Sequence, residues 1–369
     1  MVLPFLALYL NRTLGYSVQD AGLALTSYGV GAFATAPFAG RISDHIGARQ
    51  VMVGSLFLSG MMLLVFWLAK SFVVILVLAF VLAVISEAFR PASLASITDL
   101  VAPGQRKTAF SVNRLAINLG MSIGPAVGGF LIIFSYPLLF IVDGTTAIAA
   151  GLVLLLAPWH PVAPDHREQL KQTGTSTDIS FEEPPSSIWK DRRLFHFLLA
   201  IIPVIVVFFQ HNSSMPLFLV GDLHLAESTY GLLFTINTGL IILLEVPLNI
   251  AMAHWPHRRA LSLGAALSGL GFGAMGLVSG VAGVALTVVI WSFGEMILLP
   301  AASNYMADIA VPERRGMYMG LFQMTFSLSF SLSGWAGTTV LEHFGGTVLW
   351  ASTFVAGCAS ALMLWNIRR

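Results

Sequence analysis

Charged residues are scarce in this sequence. Only 10% of its 369 residues are Asp, Glu, Lys or Arg, and 56% are hydrophobic, whereas a soluble domain has roughly a quarter of its residues charged. A chain this apolar must face lipid, or other lipid-bound helices, over most of its length. Its formal net charge of +1 gives no basis for binding nucleic acid.

Cysteine and catalytic motifs are also nearly absent. The one cysteine, Cys358, lies within an apolar run, which excludes a disulfide framework and a cysteine metal site. The sequence has no phosphate-binding loop, zinc-ligand spacing or nucleophile elbow. We therefore expect no enzyme activity, no cofactor and no metal. The first residues, MVLPFLALYL, lack the basic segment and the cleavage site of a signal peptide.

Apolar stretches that are long enough to cross a bilayer follow one another along the chain. A helix needs about 20 residues to span a bilayer core of about 30 Å. Eleven such stretches lie near 20–40, 50–69, 72–98, 108–134, 137–157, 194–219, 227–252, 259–280, 283–307, 315–340 and 345–367. Residues 1–10 are too short. We expect them to be the outer half of a first span whose beginning is missing, or else a short N-terminal segment.

The stretch 158–193 interrupts this pattern, because it is polar, rich in proline and without periodicity. It predicts a linker between two bundles of six helices, at 1–157 and 194–369. The fold class that we expect is therefore all-α integral membrane, with the first helix truncated at its N-terminus.

Basic residues indicate the orientation of these spans. Most of the 19 Lys and Arg residues fall in turns on the same side as the linker, and the opposite turns contain Arg12 and Lys70. Because cytoplasmic loops are enriched in Lys and Arg, we expect the linker and the C-terminus to be cytoplasmic. A multi-pass protein of the plasma membrane, bacterial inner membrane included, fits this distribution.

Two passages repeat each other: residues 295–338 resemble residues 86–129, 209 positions earlier. Matched pairs without a gap are Pro91 with Pro300, Asp99 with Asp308, Pro103 with Pro312, Arg106 with Arg315, and Gly128 with Gly337. Similar apolar composition does not account for five matched Pro, Asp, Arg and Gly positions. The repeat indicates an internal duplication, which is common in transporters.

The loop GRISDHIGARQ at 40–50 resembles the signature loop of the major facilitator superfamily. Gly40, Asp44, Gly47 and Arg49 match it, and the loop lies after the second span, as in that family. The resemblance implies two six-helix bundles that rock about a central site and expose it to each side in turn. It also implies a role for this loop in conformational switching. A solvated loop carboxylate is the alternative interpretation of Asp44.

The fifth span contains GMSIGPAVGG, which is similar to the pattern of the drug:proton antiporter branch of that superfamily. Its residues are Gly120, Gly124, Pro125, Gly128 and Gly129. Glycines four apart allow a neighbouring helix to approach closely, and proline permits a bend. Simple tight packing explains the motif as well as an exporter function does.

Ionisable residues inside spans are functional candidates by default, because a charge in the bilayer is expensive. They are Glu87, Arg90, Arg114, Asp143, Glu245 and Glu295. Glu87 and Arg90 are three residues apart and can pair, with Arg114 joining them, either as a structural ion cluster or as a gate. Asp143 either has a transport role or reaches the outer headgroups.

Glu245 and Glu295 are the carboxylates that we expect to bind protons or substrate. A desolvated carboxylate favours its protonated form, so it can bind a proton and release it when water reaches it. A hydrogen bond between helices is the alternative role for each. Gln210, His211, Asn212 and Gln323 are candidates for the lining of a central cavity, although a lone histidine in a membrane is more often a packing residue.

The function that we expect is secondary-active, proton-coupled export of small amphipathic compounds or drugs by alternating access. Transport of a sugar or metabolite on the same fold is one alternative, and a non-transporting receptor or scaffold is another. The expected partners are a small-molecule substrate, protons and the lipid bilayer, with the protein as a monomer.

Overall fold

The computed structural model describes the backbone of residues 1–101, 105–159, 188, 191–310 and 314–367. Side chains at 36, 37, 39–41, 44, 98, 99, 106–108, 110, 111, 114, 315 and 316 lie outside this description. All regular secondary structure in the described ranges is helical. Within these ranges, eight helical segments are long and apolar enough to cross a membrane. The all-α membrane fold predicted from the sequence is confirmed.

Helices of the first half follow the predicted spans. They are α1 (Val2–Leu8), α2 (Val18–Ile46), α3 (Ala48–Phe66), α4 (Phe72–Glu87), α5 (Phe89–Leu100), α6 (Arg106–Leu131) and α7 (Tyr136–Leu156). A π-helical turn at Tyr9–Thr13 continues α1. The predicted span near 72–98 corresponds to two helices, α4 and α5, which adjoin at Ala88.

Helices of the second half repeat this order. They are α8 (Arg192–Phe208), α9 (Ser214–Gly221), α10 (Glu227–Ala251), α11 (His257–Ala274), α12 (Gly280–Ile309), α13 (Arg315–Leu332) and α14 (Thr338–Trp365). The seventh predicted span is broken between α8 and α9. Gly345, with φ of +81° and ψ of 170°, breaks α14. This helix therefore includes the end of the predicted span near 315–340 and nearly all of the predicted span near 345–367.

Local chemistry explains where several helices begin and end. The Ser17 hydroxyl accepts a hydrogen bond from the Asp20 N–H at 3.0 Å and caps α2. Gly47 ends the same helix at φ +102°, a backbone conformation that favours glycine. The Asp191 carboxylate caps α8 by accepting two backbone N–H groups at 2.9 and 3.3 Å.

Helix packing has the same pattern in both halves. In the first half α3 packs on α7 and α2 packs on α4, and in the second half the equivalent pairs are α11 with α14 and α10 with α12. The two large contacts between the halves, α2 with α13 and α6 with α10, are also equivalent to each other under this correspondence. The packing therefore supports the internal duplication. The boundaries of the linker stay a prediction, because 160–187 and 189–190 lie outside the described residues.

The membrane-spanning helices begin and end at two opposite ends of the molecule. The basic end contains the helix ends at Ile46, Leu100, Leu156, Ala251 and Ile309, and the distal end contains those at Thr13, Phe66, Leu131, Gly221 and Ala274. The basic end carries Arg49, Arg192, Arg193, Arg258 and Arg259, and the described chain leaves at 159 and resumes continuously at 191 on this side.

The hydrogen bonds that the structure describes between the halves lie toward the distal end. Arg12 donates to the Val220 carbonyl at 2.9 Å, and the Gln19 N–H donates to the Glu342 carboxylate. Deeper in, α2 and α13 exchange two bonds. The Thr26 hydroxyl donates to the Ser331 carbonyl at 3.0 Å, and the Ser331 hydroxyl donates to the Thr26 carbonyl at 3.2 Å. The Thr26 hydroxyl also lies 3.0 Å from the Gly22 carbonyl of its own helix.

The basic end of α6 stands apart from neighbouring helices. Large apolar side chains are exposed along it: Val112, Leu115, Ile117, Leu119, Met121 and Ile123. Close contact with α10 is made near the distal end instead, where a Cβ on Gly231 would lie 2.6 Å from the Pro125 carbonyl oxygen. With the described contacts between the halves at the distal end and α6 exposed toward the basic end, the described part of the chain is open at the basic end.

Candidate transport site

The centre of the second half contains a carboxylate between two helices. Glu295 of α12 is 9% exposed, and its Oε2 accepts a hydrogen bond from Asn237 Nδ2 of α10 at 2.9 Å. Asn237 Nδ2 also donates to the Ser292 hydroxyl at 2.9 Å. The Ser292 hydroxyl in turn donates to the Val288 carbonyl at 2.7 Å. One asparagine therefore holds the carboxylate of Glu295 and ties α10 to α12.

An aromatic cluster lies one helical turn from Glu295. The Trp291 ring stacks on His211, with 5.9 Å between centroids and 13° between planes, and on Phe272 at 5.1 Å. Phe208 and Phe234 meet the His211 ring edge-on at 4.6 and 5.3 Å. The buried Trp291 indole N–H has no hydrogen-bond partner among the described residues. A polar carboxylate and an apolar aromatic wall thus adjoin each other.

His211 is fixed by hydrogen bonds on both ring nitrogens. Asn212 Nδ2 lies 2.7 Å from His211 Nε2, and His211 Nδ1 lies 2.5 Å from the Phe208 carbonyl. Since an amide NH₂ can only donate and a carbonyl can only accept, this network assigns the neutral tautomer with its proton on Nδ1. The Tyr230 hydroxyl donates to the His211 carbonyl at 2.7 Å. This histidine is therefore packed within the bundle in this state.

The second candidate carboxylate, Glu245, lies on α10 toward the basic end and is 8% exposed. Its backbone carbonyl accepts from Asn249 Nδ2 at 2.7 Å, and the same nitrogen lies 3.3 Å from the Met296 carbonyl of α12. A groove of about 250 Å³ begins beside Asn249 and extends to His257. It brings solvent-accessible space to within about one helical turn of Glu245.

The remaining cavity candidates differ in burial and in hydrogen-bond partners. Gln210 is buried: its Oε1 accepts from the Ser213 hydroxyl at 3.3 Å, and a Cβ on Gly337 would lie 2.1 Å from that oxygen. Gln323 of α13 is partly exposed. The Asn212 side chain donates a hydrogen bond to His211 Nε2. Their role in lining a cavity and binding substrate stays a prediction.

Candidates in the first half lie apart from this centre. Asp143 accepts from the Val2 N–H at 2.8 Å and lies 3.0 Å from the Met1 amine, so it contacts the start of α1, and its role in transport stays a prediction. The side chain of Glu87 lies near the Tyr28 hydroxyl. Glu87 and Arg90 form no salt bridge among the described side chains, because Arg90 is exposed. Arg114 lies outside the described side chains.

The sequence and the fold of this chain resemble those of known transporters. The sequence profile of the Major Facilitator Superfamily matches residues 1–225 and 211–368. This chain belongs to that superfamily. Solved transporters of similar shape include the nucleoside transporter NupG and a D-xylose–proton symporter. They have TM-scores of 0.78 and 0.77, identities of 15% and 14%, and cover 100% of this chain and 95% and 93% of their own. At such identity they show the fold alone.

Relatives within the Major Facilitator Superfamily are named as transporters. YqjV of Bacillus subtilis (strain 168), an uncharacterized transporter, is 27% identical over 94% of this chain and 83% of its own. A Na⁺, Li⁺, K⁺/H⁺ antiporter of Planococcus maritimus is 24% identical over 99% and 91%. The multidrug resistance protein MdtH of Aeromonas hydrophila is 21% identical over 93% and 84%. The predicted resemblance to the drug-exporter branch is confirmed.

The superfamily's signature loop has a visible structural contact in this chain. Arg49 Nη2 donates to the carbonyls of Leu155 and Ala157 at 2.8 and 2.9 Å, and its guanidinium lies 5.6 Å from the Trp159 ring centroid. An arginine at these carbonyls also suits the negative end of the α7 dipole. The predicted loop at 40–50 is helical except at Gly47, which separates α2 from α3. Arg49 thus joins the first turn of α3 to the last turn of α7. The surroundings of Gly40 and Asp44 lie outside the described side chains.

The glycine motif of α6 packs at one end only. A Cβ on Gly128 would lie 2.8 Å from the Phe5 ring, and one on Gly129 would lie 3.3 Å from Gly231 Cα of α10. A Cβ on Gly124 would meet Met1 at 3.5 Å, which is ordinary contact, and one on Gly120 would meet nothing within 4 Å. Close approach is therefore a property of Gly128 and Gly129. The stripe predicted from spacing alone does not extend to Gly120 in this state, because α6 diverges from its neighbours toward the basic end.

Two residues of the central cluster, Asn237 and Ser292, are missing from the sequence-based candidates. Both are uncharged, and spacing gives no sign that a residue 58 positions before Glu295 contacts it. The available signal was an asparagine in the middle of an apolar span, FTINTGLI. Because an unpaired amide is expensive there, it had to have a polar partner.

Proposed function

We propose that this protein is a proton-coupled exporter of small amphipathic compounds or drugs. It works by alternating access in the plasma membrane, bacterial inner membrane included, with its basic end in the cytoplasm. The buried carboxylate of Glu295 is the observation that supports this proposal most strongly. Among the described residues no Lys or Arg lies within ion-pair distance of it, and its hydrogen-bond partner is neutral. An unpaired charge is expensive at that depth, and proton uptake removes it.

The open basic end fits the loading state of an exporter. A compound enters from the cytoplasm between the halves and reaches the aromatic cluster of Trp291 and Phe208, whose apolar faces suit amphipathic molecules. Separation of the distal contacts then exposes the compound to the outside, where Glu295 takes up a proton. Return of the distal contacts delivers that proton to the cytoplasm. Glu245, beside the groove at the basic end, is the second carboxylate on this route.

Transport by purified protein tests the proposal. In proteoliposomes with a pH gradient we expect accumulation of a lipophilic dye that a proton ionophore abolishes. Glu295→Gln, which fixes the neutral form of that side chain, should abolish dependence on the gradient, and Glu245→Gln should reduce it. Glu182→Gln in the predicted linker is the control and should behave as wild type. Intact gradient-driven transport by Glu295→Gln would refute proton coupling through this residue.

Antiport of a monovalent cation is the second candidate, because the Planococcus maritimus relative bears that function in its name. The same vesicles decide between the two. Pulses of Na⁺, Li⁺ or K⁺ that release protons indicate cation exchange, whereas proton release on addition of drug or dye indicates drug export. Uptake of a sugar, with neither response, would assign the protein to metabolite transport. Failure to move any of these compounds would favour a receptor or scaffold.

A further inference from the structure

The geometry around Glu295 points to Asn237 as a positioning residue whose side-chain amide turns over when Glu295 binds or releases its proton. This inference rests on the proposed role of Glu295 as proton carrier. It adds a residue on a second helix, α10, that responds to the proton on α12.

The hydrogen bonds of the cluster all run in one direction. Asn237 Nδ2 has two hydrogens, and these reach Glu295 Oε2 and the Ser292 hydroxyl oxygen, both at 2.9 Å. The single hydrogen of the Ser292 hydroxyl is given to the Val288 carbonyl at 2.7 Å. A carboxylate without its proton only accepts hydrogen bonds. The arrangement seen here is therefore the one that suits a charged Glu295.

A proton bound at Glu295 Oε2, the oxygen that faces Asn237, adds a donor that this arrangement cannot receive. The new O–H on the carboxyl faces an NH₂ group, which has no acceptor. Rotation of the Asn237 amide by about 180° places its carbonyl oxygen toward Glu295, where it accepts the carboxyl O–H. The Ser292 hydroxyl can then turn from Val288 and donate to the same amide oxygen. In this rotated arrangement the carboxyl O–H and the Ser292 O–H both donate to the Asn237 amide oxygen, and the NH₂ group turns away from both side chains.

Few other charges face this cluster. On α10 the nearest acidic or basic side chain is Glu245, eight residues and about 12 Å along the helix. The Tyr230 hydroxyl, seven residues the other way, donates to the His211 carbonyl, and the His211 ring lies beyond Trp291. α11 packs against α12 through Gly264 and Ser268, next to Gly294. The described acidic and basic side chains of α8 and α11 lie at the basic end. The response of the amide thus follows the proton on Glu295 and not a neighbouring ion.

Two substitutions of Asn237 separate hydrogen bonding from packing. Asn237→Asp keeps the shape but replaces the NH₂ donor by an acceptor, and Asn237→Leu removes both polar atoms at similar size. The leucine leaves a charged Glu295 without its donor, and an ionised aspartate places a second negative charge beside it. We expect the pH at which proteoliposome transport is half-maximal to rise by about one unit or more in both variants, because a carboxylate that loses a donor binds its proton more readily.

Asn249→Leu is the matched control. Asn249 is also an asparagine of α10 that reaches α12, but through the Met296 backbone carbonyl and not through a carboxylate. Its removal perturbs the same helix pair and should leave the half-maximal pH in place. An unchanged half-maximal pH in both Asn237 variants would refute the inference.

Infrared difference spectroscopy gives a readout that does not require transport. In purified protein the carboxyl C=O band that Glu295→Gln removes should titrate together with an amide C=O band. Asn237→Leu should abolish the amide band and move the titration of the carboxyl band upward. A carboxyl band that titrates alone in wild type would overturn the amide rotation. If Glu295→Gln instead removes no titrating band, the proposed function itself fails.

Discussion

Substitution of Gly22 by alanine should favour opening of the distal end. Gly22 of α2 lies against α13 and the turn that follows it. A Cβ at this position would lie 1.8 Å from Thr338 Oγ1 and 2.3 Å from the Gly334 carbonyl oxygen. Both separations are far below contact distance, and the second partner is backbone, so the two helices must move apart. The added methyl group is accommodated without strain once the distal contacts have separated.

Overpacking of this kind costs about 1–3 kcal/mol. The strain affects only the state in which the distal end is closed. The ratio of distal-open to distal-closed molecules should therefore rise by a factor of roughly 5 to 150, since each 1.4 kcal/mol is a tenfold change. If the closed state is favoured tenfold in the wild type, a shift near the middle of that range makes the open state the major one.

Pulsed electron–electron spin resonance measures this ratio directly. In a Cys358→Ser background, spin labels at Thr13 and Leu277 report the distal separation, and labels at Gln50 and His254 report the basic end. Gly22→Ala should add a longer distance to the first pair and a shorter one to the second.

A matched control for this experiment is available in the first half. A Cβ on Gly54 of α3 would meet nothing within 4 Å, so Gly54→Ala should leave both distance distributions as in wild type. Unchanged distances in Gly22→Ala, with the protein folded, would refute the argument that this contact holds the distal end closed.

Other substitutions test the same reasoning at different contacts. Thr26→Val removes one hydrogen bond between the halves, so it should shift the same spin-label distances in the same direction but by less, near 1 kcal/mol. A Cβ on Gly231 would approach the Pro125 carbonyl to 2.6 Å, so Gly231→Ala should also open the distal end. No shift in either variant would restrict the effect to Gly22. Arg49→Ala should lower the thermal unfolding temperature of purified protein by a few degrees, through loss of its bonds to Leu155 and Ala157. An unchanged unfolding temperature would show that this contact adds no stability.

Hydropathy was sufficient to place the helices, because each span must satisfy its own backbone hydrogen bonds within lipid. It did not reveal the interruptions at Ala88 and between Phe208 and Ser214. Polar residues lie at both points, but their presence within an otherwise apolar span does not show whether the helix breaks there. The polar residues Gln210, His211 and Asn212, read as cavity lining, coincide with the second interruption.

The candidate site was less accessible from the sequence than the fold. Glu295 was identified because a carboxylate inside a span is conspicuous, but its partner Asn237 depends on how α10 and α12 are rotated against each other. Repetition at an offset of 209 positions predicted equivalent hairpins. It did not predict which glycines of the fifth span would pack, since that depends on the angle at which α6 leaves α10.

The exchanged hydroxyl bonds between α2 and α13 have a consequence for the speed of the transport cycle. The Thr26 hydroxyl already lies within 3.0 Å of the Gly22 carbonyl in its own helix, so it retains an acceptor when the Ser331 carbonyl withdraws. Serine can likewise turn to the carbonyl four residues earlier in a helix, here that of Ser327. Neither hydroxyl is left without an acceptor in lipid at the moment of parting. These hydrogen bonds can therefore stabilise the distal-closed state while the energy barrier to separation of α2 from α13 stays low.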